Sequence, residues 1–315
     1  LTGTPADADT GANSFTVRVT DQIGAFTEAT LNIAVIGVNH APVFATDPIA
    51  LHAMKNTALS GSVVASDADT TETLTYTKVS GPSWLGISSN GTLIGTPLAA
   101  DIGTNAFVVR ATDPTGLFDE AALNIQVINE PVWTNPAGGS WPVTGNWLAG
   151  IVATGSGNTA DFSTLNLTAD AIVTLDGART IAGLVFSDTT PSHNWTLNTG
   201  TAGPLTLNSA SGAPSINVAN QTTTLNAVLA GSQGLIKSGT GTLTLGAANS
   251  FSGGLVISGG TVRLQSGDYT NTLASGNTVT INNGGTLAVV NANTSNSIAG
   301  FVINSGGTLN CQGYH

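Results

Sequence analysis

Three carboxylates stand out by type and spacing. Asp67 and Asp69 form an Asp-x-Asp pair in Ala65-Ser-Asp67-Ala-Asp69, and Asp113 lies in Ala111-Thr-Asp113-Pro-Thr-Gly116. Two carboxylates on one loop and a third from another make an oxygen-rich set of the kind calcium prefers. The plain reading competes with it, because Asp is an ordinary turn former that hydrogen-bonds its own backbone. Asp21 and Gly24 repeat the Asp113 and Gly116 spacing. The Asp-x-Asp partners of that earlier loop would lie upstream of Leu1.

Other chemistry fails on inventory. Beyond Trp133 the acidic residues are Asp161, Asp170, Asp176, Asp188 and Asp268, the cations are Arg179, Lys237 and Arg263, and Glu is absent. Polysaccharide cleavage needs clustered carboxylates, or carboxylates with a basic partner. A Ser-His-Asp triad would have to recruit His193 or His315, and neither stands in a nucleophile-elbow context. No phosphate-binding Gly-x-x-x-x-Gly-Lys loop and no His-Glu-x-x-His occurs. Catalysis is therefore not expected. Trp133, Trp141 and Trp147 fall close together, either as a sugar-stacking platform or as an aromatic cap on a solenoid end, and the cap is favoured because an open end exposes core and strand edges. Trp84 reads as core. Threonine pairs such as Thr242/Thr244 and Thr278/Thr280 suit a flat ice- or glycan-binding face, but β-propensity selects threonine there without any ligand.

The elements that position these residues are strands. Charged residues make up 8% of the 315, about a third of the usual share, while hydrophobic residues at 41% suffice for ordinary cores. Gly, Asn, Thr and Ser fill the gap, a mixture that suits short strands and tight turns and suits long helices badly. The fold class is all-β. A formal charge of −11 disfavours nucleic acid, whose phosphates need a basic surface, and disfavours an anionic membrane surface. No run approaches the roughly 18 apolar residues of a membrane helix. Cys311 is alone, so no intrachain disulfide framework exists, which points to a bacterial exterior or to a buried cytosolic thiol.

The chain repeats itself. Leu1-Thr-Gly-Thr-Pro5 returns as Leu93-Ile-Gly-Thr-Pro97, Phe15-Thr-Val-Arg18 as Phe107-Val-Val-Arg110, and Leu31-Asn-Ile33 as Leu123-Asn-Ile125, all at one ungapped offset. These are two copies of one module. In the complete copy the spacing predicts strands near 43–53, 59–65, 73–79, 84–88, 92–94, 106–112 and 121–128. Alternation such as Leu123-Asn-Ile-Gln-Val127 indicates antiparallel strands with one wet face. About seven such strands make an immunoglobulin-like sandwich. Leu74-Thr-Tyr76, Pro82-Ser-Trp84-Leu85, Gly91-Thr-Leu-Ile-Gly-Thr-Pro97 and the two Asp motifs resemble the dystroglycan-type cadherin-like domain, over residues 1 to about 131. Val38-Asn39-His40-Ala41-Pro42 looks like a degraded cadherin linker. The resemblance implies that Asp67, Asp69 and Asp113 meet at the module junction, where Asn39 adds an oxygen to a calcium site. His40 stands where such a linker has an acidic residue. Residues 1–38 match only the later half of the module, so their apolar face is expected to be covered by further sequence of a longer polypeptide or by strands from a neighbouring copy.

After Trp133 the style changes. Val256-Ile-Ser-Gly-Gly-Thr-Val262, Thr280-Ile-Asn-Asn-Gly-Gly-Thr-Leu287 and Val302-Ile-Asn-Ser-Gly-Gly-Thr-Leu309 align, with Gly-Thr corners at a spacing of one coil of a parallel β-helix. A tandem antiparallel meander is the alternative. The run from Gly234-Leu-Ile-Lys237 through Gly241-Thr-Leu-Thr-Leu245 and Asn249-Ser-Phe-Ser-Gly253 to Leu264 is similar to the autotransporter-associated β-strand repeat. That likeness implies a β-helix passenger on a bacterial surface. The expected organisation is a half-sandwich at 1–38, a complete sandwich at 39–131, a linker and aromatic cap at 132–164, and a parallel β-helix at 165–315 that stops within a repeat. The expected role is a structural and adhesive segment of a large secreted surface protein, with a glycan-binding module as the alternative. Expected partners are other copies of itself, adjoining domains or surface glycans.

Overall fold

The computed structural model describes residues 2–69, 72–265, 273–290 and 298–312. Among these residues the chain is built of strands, turns and short 3-10 turns, without an α-helix. Asp268 and His315 lie outside the described residues. The chain divides into two compact units, Leu1–Val127 and Ile128–His315.

In the first unit, β1 (Gly11–Thr20) and β2 (Phe26–Val35) form an antiparallel hairpin. The sandwich follows as β3 (Val43–Phe44), β4 (Ile49–Met54), β5 (Ala65–Ser66), β6 (Thr75–Ser80), β7 (Leu85–Ile87), β8 (Leu93–Gly95), β9 (Gly103–Thr112) and β10 (Phe118–Ile128). One sheet runs β4-β10-β9-β6, and β3-β5 and β7-β8 pair separately. The alternation read from the sequence is the burial pattern seen. Phe107, Val109, Ala111, Leu123, Ile125 and Val127 are buried, and they pack with Phe44, Val63, Tyr76, Leu85 and Leu93. Trp84 leans edge-on against Phe107 at 5.5 Å and is held by its indole N–H donating to Asn105 at 3.1 Å. The expected strand at 59–65 is not continuous. Leu59 N–H and Val63 N–H donate to Gly95 and Gly91, Ser62 bridges Thr92, and regular pairing resumes at Ala65. Gly61-Ser62 has too little side chain to hold a pleat against the core.

The second unit is a parallel β-solenoid. One sheet stacks Gly138–Ser140, Ala171–Thr174, Trp195–Asn198, Thr222–Leu225, Thr242–Leu245, Gly260–Leu264, Gly285–Val290 and Thr308–Gln312. The facing sheet includes Arg179–Phe186, Ser215–Val218, Leu235–Ser238, Leu255–Ile257, Thr278–Ile281 and Gly300–Ile303. The strands of both sheets pair in parallel, for example Leu243 with Val262 and Ile257 with Ile281, and among the described residues the register shifts only where Gly155–Phe162 meets Arg179–Phe186. Side-chain identity is thereby carried from coil to coil, and Leu243, Val262, Leu287 and Ile257, Ile281 form buried ladders. The antiparallel meander is excluded. Corners are tight: a Cβ on Gly241 would sit 1.9 Å from the Asn220 carbonyl oxygen, and Gly239, at φ +78°, has the Val218 oxygen 2.3 Å from that position. Only glycine lets the backbones approach so closely.

Two buried asparagines replace missing backbone partners at the corners. Asn249 accepts from Leu229 N–H at 2.8 Å, while Asn277 accepts from Gly254 N–H at 3.0 Å and donates to the Phe251 carbonyl at 2.8 Å. The stretch 132–164 is itself part of the solenoid's construction. Gly138–Ser140 pairs with residues 172–174, and Gly155–Phe162 pairs with Arg179–Phe186, both in parallel.

Candidate functional site

The carboxylates of Asp67, Glu72 and Asp113 converge, with one oxygen of each within 4.8 Å of the others. Two ligands about 2.4 Å from one cation on opposite sides are about 4.8 Å apart, so these oxygens can share a single ion. Asp113 is buried and fully engaged. Its Oδ1 accepts from the N–H groups of Thr115, Gly116 and Leu117 at 2.7–2.9 Å, and its Oδ2 accepts from the Asn39 amide at 2.7 Å. Burial opposes its charge, but the hydrogen bonds from Asn39, Thr115, Gly116 and Leu117 outweigh it and hold the carboxyl below its ordinary range. Asp67 closes an Asx turn by accepting from Asp69 N–H at 2.9 Å. Its other oxygen, Oδ2, and Glu72 Oε2 are both buried without a hydrogen-bond partner. Desolvation, followed by the negative charges of Asp113, Asp69 and Asp67, raises the Glu72 pKa. Buried carboxylate oxygens facing one another without donors are an unfavourable arrangement that a cation relieves.

Of the residues singled out from sequence, Asp67 and Asp113 are thus brought together. Asp69 belongs to the same loop but turns to the linker, where its Oδ2 accepts from His40 N–H at 2.7 Å and lies 3.3 Å from His40 Nδ1. Asn39 reaches the site with its amide donating to Asp113 and, at 2.9 Å, to Thr115. Glu72 is the member that the sequence reading missed. It lies five residues beyond Asp67, outside the Asp-x-Asp motif, and its N–H donates to the Asp69 carbonyl at 3.0 Å.

The remaining candidates resolve as structure. Trp133, Trp141 and Trp147 are buried and pack around Phe162, so none offers a face to a sugar. Each indole N–H donates to a carbonyl, those of Asn135, Ala153 and Trp141 respectively. His193 does meet Ser192, with Oγ 2.7 Å from Nδ1, and Asp188 Oδ2 lies 4.0 Å from that same nitrogen. A triad needs its serine and its carboxylate on opposite ring nitrogens. Asp188 is a buried loop organiser that accepts from the N–H groups of Leu167, Thr190, Ser192 and His193. Burial opposes its charge, and these bonds overcome it and lower its pKa. Thr222, Thr242, Thr261, Thr286 and Thr308 stack in one column, whereas the column through Thr224 and Thr244 is broken by Arg263 and Ala288.

One buried ionisable group is invisible to sequence pattern. Lys237 occupies the inward ladder between Ile216 and Ile257 and is fully buried. Its ammonium donates to the Gly239 and Gly259 carbonyls at 2.8 and 2.9 Å. Desolvation pushes its pKa down to about 8.

Comparison with known proteins divides along the same line as the fold. Residues 41–128 match the family described as Putative Ig domain, and residues 235–264 match the Passenger-associated-transport-repeat. The chain therefore contains an Ig-like domain and an autotransporter passenger repeat. Among curated proteins it is 33% identical over 158 residues to the Adhesin BmaC autotransporter of Brucella suis biovar 1 (strain 1330). That match takes in 49% of this chain and 4% of the relative, so the chain spans a small fraction of the relative's length. Among solved structures, chicken VE-cadherin EC1-2 aligns at 19% identity with a TM-score of 0.31, over 38% of this chain and 68% of that one. The endo-fucoidan hydrolase MfFcnA4 from glycoside hydrolase family 107 aligns at 22% identity and TM-score 0.28, over 54% and 24% of the two chains.

Proposed function

We propose that this chain is a structural and adhesive segment of a large secreted bacterial surface protein, a non-enzymatic stretch of passenger. The observation that carries the reading is the passenger repeat at residues 235–264 lying within an in-register parallel solenoid, in the same polypeptide as an Ig-like module. Parallel coils pair nearly every backbone group with the coil above and below, so the rod needs neither disulfide nor cofactor for its strength. The similarity to an autotransporter adhesin supports the same role. Antibodies against the 315-residue chain should label intact producing cells, and an in-frame deletion of this segment should reduce adhesion while the rest of the protein is still displayed. Labelling that requires lysed cells would reject the surface assignment. Undiminished adhesion would reject the adhesive role.

Within that role, Asp67, Glu72 and Asp113 form a calcium site at the linker end of the Ig-like module. The support is chemical: all donors are hard oxygens, as calcium requires, and Asp67 Oδ2 and Glu72 Oε2 are buried without hydrogen-bond donors. A half-turn of the Asn39 amide would exchange its donor for an oxygen ligand facing the same ion. Terbium luminescence titrated against calcium tests the site. Saturable binding lost in Glu72→Gln supports it, and binding unchanged by Glu72→Gln and Asp67→Asn together rejects it.

A further inference from the structure

The β1–β2 hairpin duplicates the β9–β10 hairpin in detail. Phe15 pairs with Leu31 and Arg18 with Glu28, as Phe107 pairs with Leu123 and Arg110 with Glu120. Both Arg–Glu contacts measure 2.6 Å, and in both hairpins the guanidinium lies 4.0 Å over a phenylalanine, Phe26 or Phe118. Both are preceded by a 3-10 turn, Asp7–Asp9 or Ala99–Asp101. What differs is the cover. Phe107 is 2% exposed and Val109, Leu123 and Ile125 are 0%, whereas Phe15 is 50%, Val17 38%, Val19 66% and Ile33 41% exposed.

The complete copy shows what belongs on that face. There, β4 and β6 pair with the outer edges of β10 and β9, and Phe44, Val63, Tyr76, Leu85 and Leu93 pack on the apolar side. A polar mark points the same way. Asn105 donates to the Asp101 and Gly103 carbonyls and accepts the indole N–H of Trp84. Asn13 makes the same two donations, to Asp9 and Gly11, which aims its oxygen at the position where an indole would stand. Asp21 likewise accepts from Ile23 and Ala25 N–H, as Asp113 does in its own loop.

We propose that the β1–β2 hairpin is the acceptor for the leading half of a second Ig-like module, a segment with the strand pattern of residues 41–92 that includes an indole for Asn13. That segment completes both the core and the open sheet edges. Gly3-Thr4-Pro5 repeats Gly95-Thr96-Pro97, the link through which β8 joins its own hairpin, so the acceptor keeps the junction that such a segment uses in the complete copy. A second intact copy of this chain is a poorer occupant, since its residues 41–92 already cover its own β9–β10. This inference does not depend on the adhesive reading.

Fusing a duplicate of residues 41–92 directly ahead of Leu1 restores the module register, because Leu1 corresponds to Leu93. Amide hydrogen exchange over residues 11–35 should slow by about a hundredfold or more relative to the unmodified chain, and Val17→Asp in the fusion should abolish that gain while leaving residues 103–127 protected. A soluble fusion whose hairpin exchanges at the unmodified rate overturns the proposal. So does an unmodified chain that sediments as a dimer with its hairpin already protected, which would make a second copy the occupant. Should the fusion aggregate, the same 41–92 segment is added as a synthetic peptide to the unmodified chain. Protection of residues 11–35 then supports the proposal, and its absence at saturating peptide overturns it.

Discussion

At the scale of single residues, Lys237 is the sharpest test of the solenoid core. An ammonium between Ile216 and Ile257, with two carbonyls and, among the described residues, no carboxylate partner, keeps its hydrogen bonds but loses most of its hydration. Its pKa falls from 10.5 to about 8, so between those values the unfolded chain holds the proton more readily than the folded one. Stability therefore rises with pH across that window and is lost again as pH falls toward 8. The full swing is on the order of 3 kcal/mol. Urea unfolding of the solenoid at pH 7.5 and at pH 10.5 should show the midpoint higher at alkaline pH, and Lys237→Met should remove that difference. A midpoint that moves equally in both proteins would place the titration elsewhere.

At the scale of elements, the coil is a set of ladders closed by corners, and each part predicts its own failure. Leu243 and Ile257 lie within parallel strands and are fully buried. Changing either to Asp places a carboxylate in a dry ladder with no cation to meet it, a cost on the order of 4 kcal/mol. Limited proteolysis should then open the coils around 235–264 before the rest of the solenoid. Corners fail differently. Gly241→Ala drives a methyl group into the Asn220 carbonyl, and since backbone cannot yield as a side chain does, the two coils must separate. The expected result is a lower thermal midpoint for the solenoid with an unchanged midpoint for the Ig-like unit.

At the scale of the whole molecule, the two units have separate hydrophobic cores, and only the Ig-like one holds the Asp67, Glu72 and Asp113 cluster. Calorimetry should resolve two unfolding transitions. Calcium at a hundredfold excess over its dissociation constant should stabilise the first unit by about 2.7 kcal/mol, and excess chelator should reverse that shift without touching the solenoid transition. Chelator that moves both transitions, or neither, counts against a site confined to that cluster.

The sequence by itself determined what repeats and what alternates. Phe107, Val109 and Ala111 announce a buried strand face because β geometry sends every second side chain the same way. Gly-Gly-Thr phrases announce coils because a corner at positive φ must recur wherever a solenoid turns. The repetition of the β9–β10 hairpin as β1–β2 was legible too, since Phe15-Thr-Val-Arg18 and Leu31-Asn-Ile33 return at one ungapped offset. These are local or periodic facts. Convergence is neither. Glu72 joins Asp67 and Asp113, and Asp69 turns instead to His40, through loop paths that no spacing rule encodes. Lys237 reads as a surface lysine until its register partners, Ile216 and Ile257, place it inside a ladder. The three tryptophans were readable as a cap or as a sugar platform. Packing decided against the platform, because Phe162 draws all of them around one ring and the backbone carbonyls beside them take up their indole N–H groups.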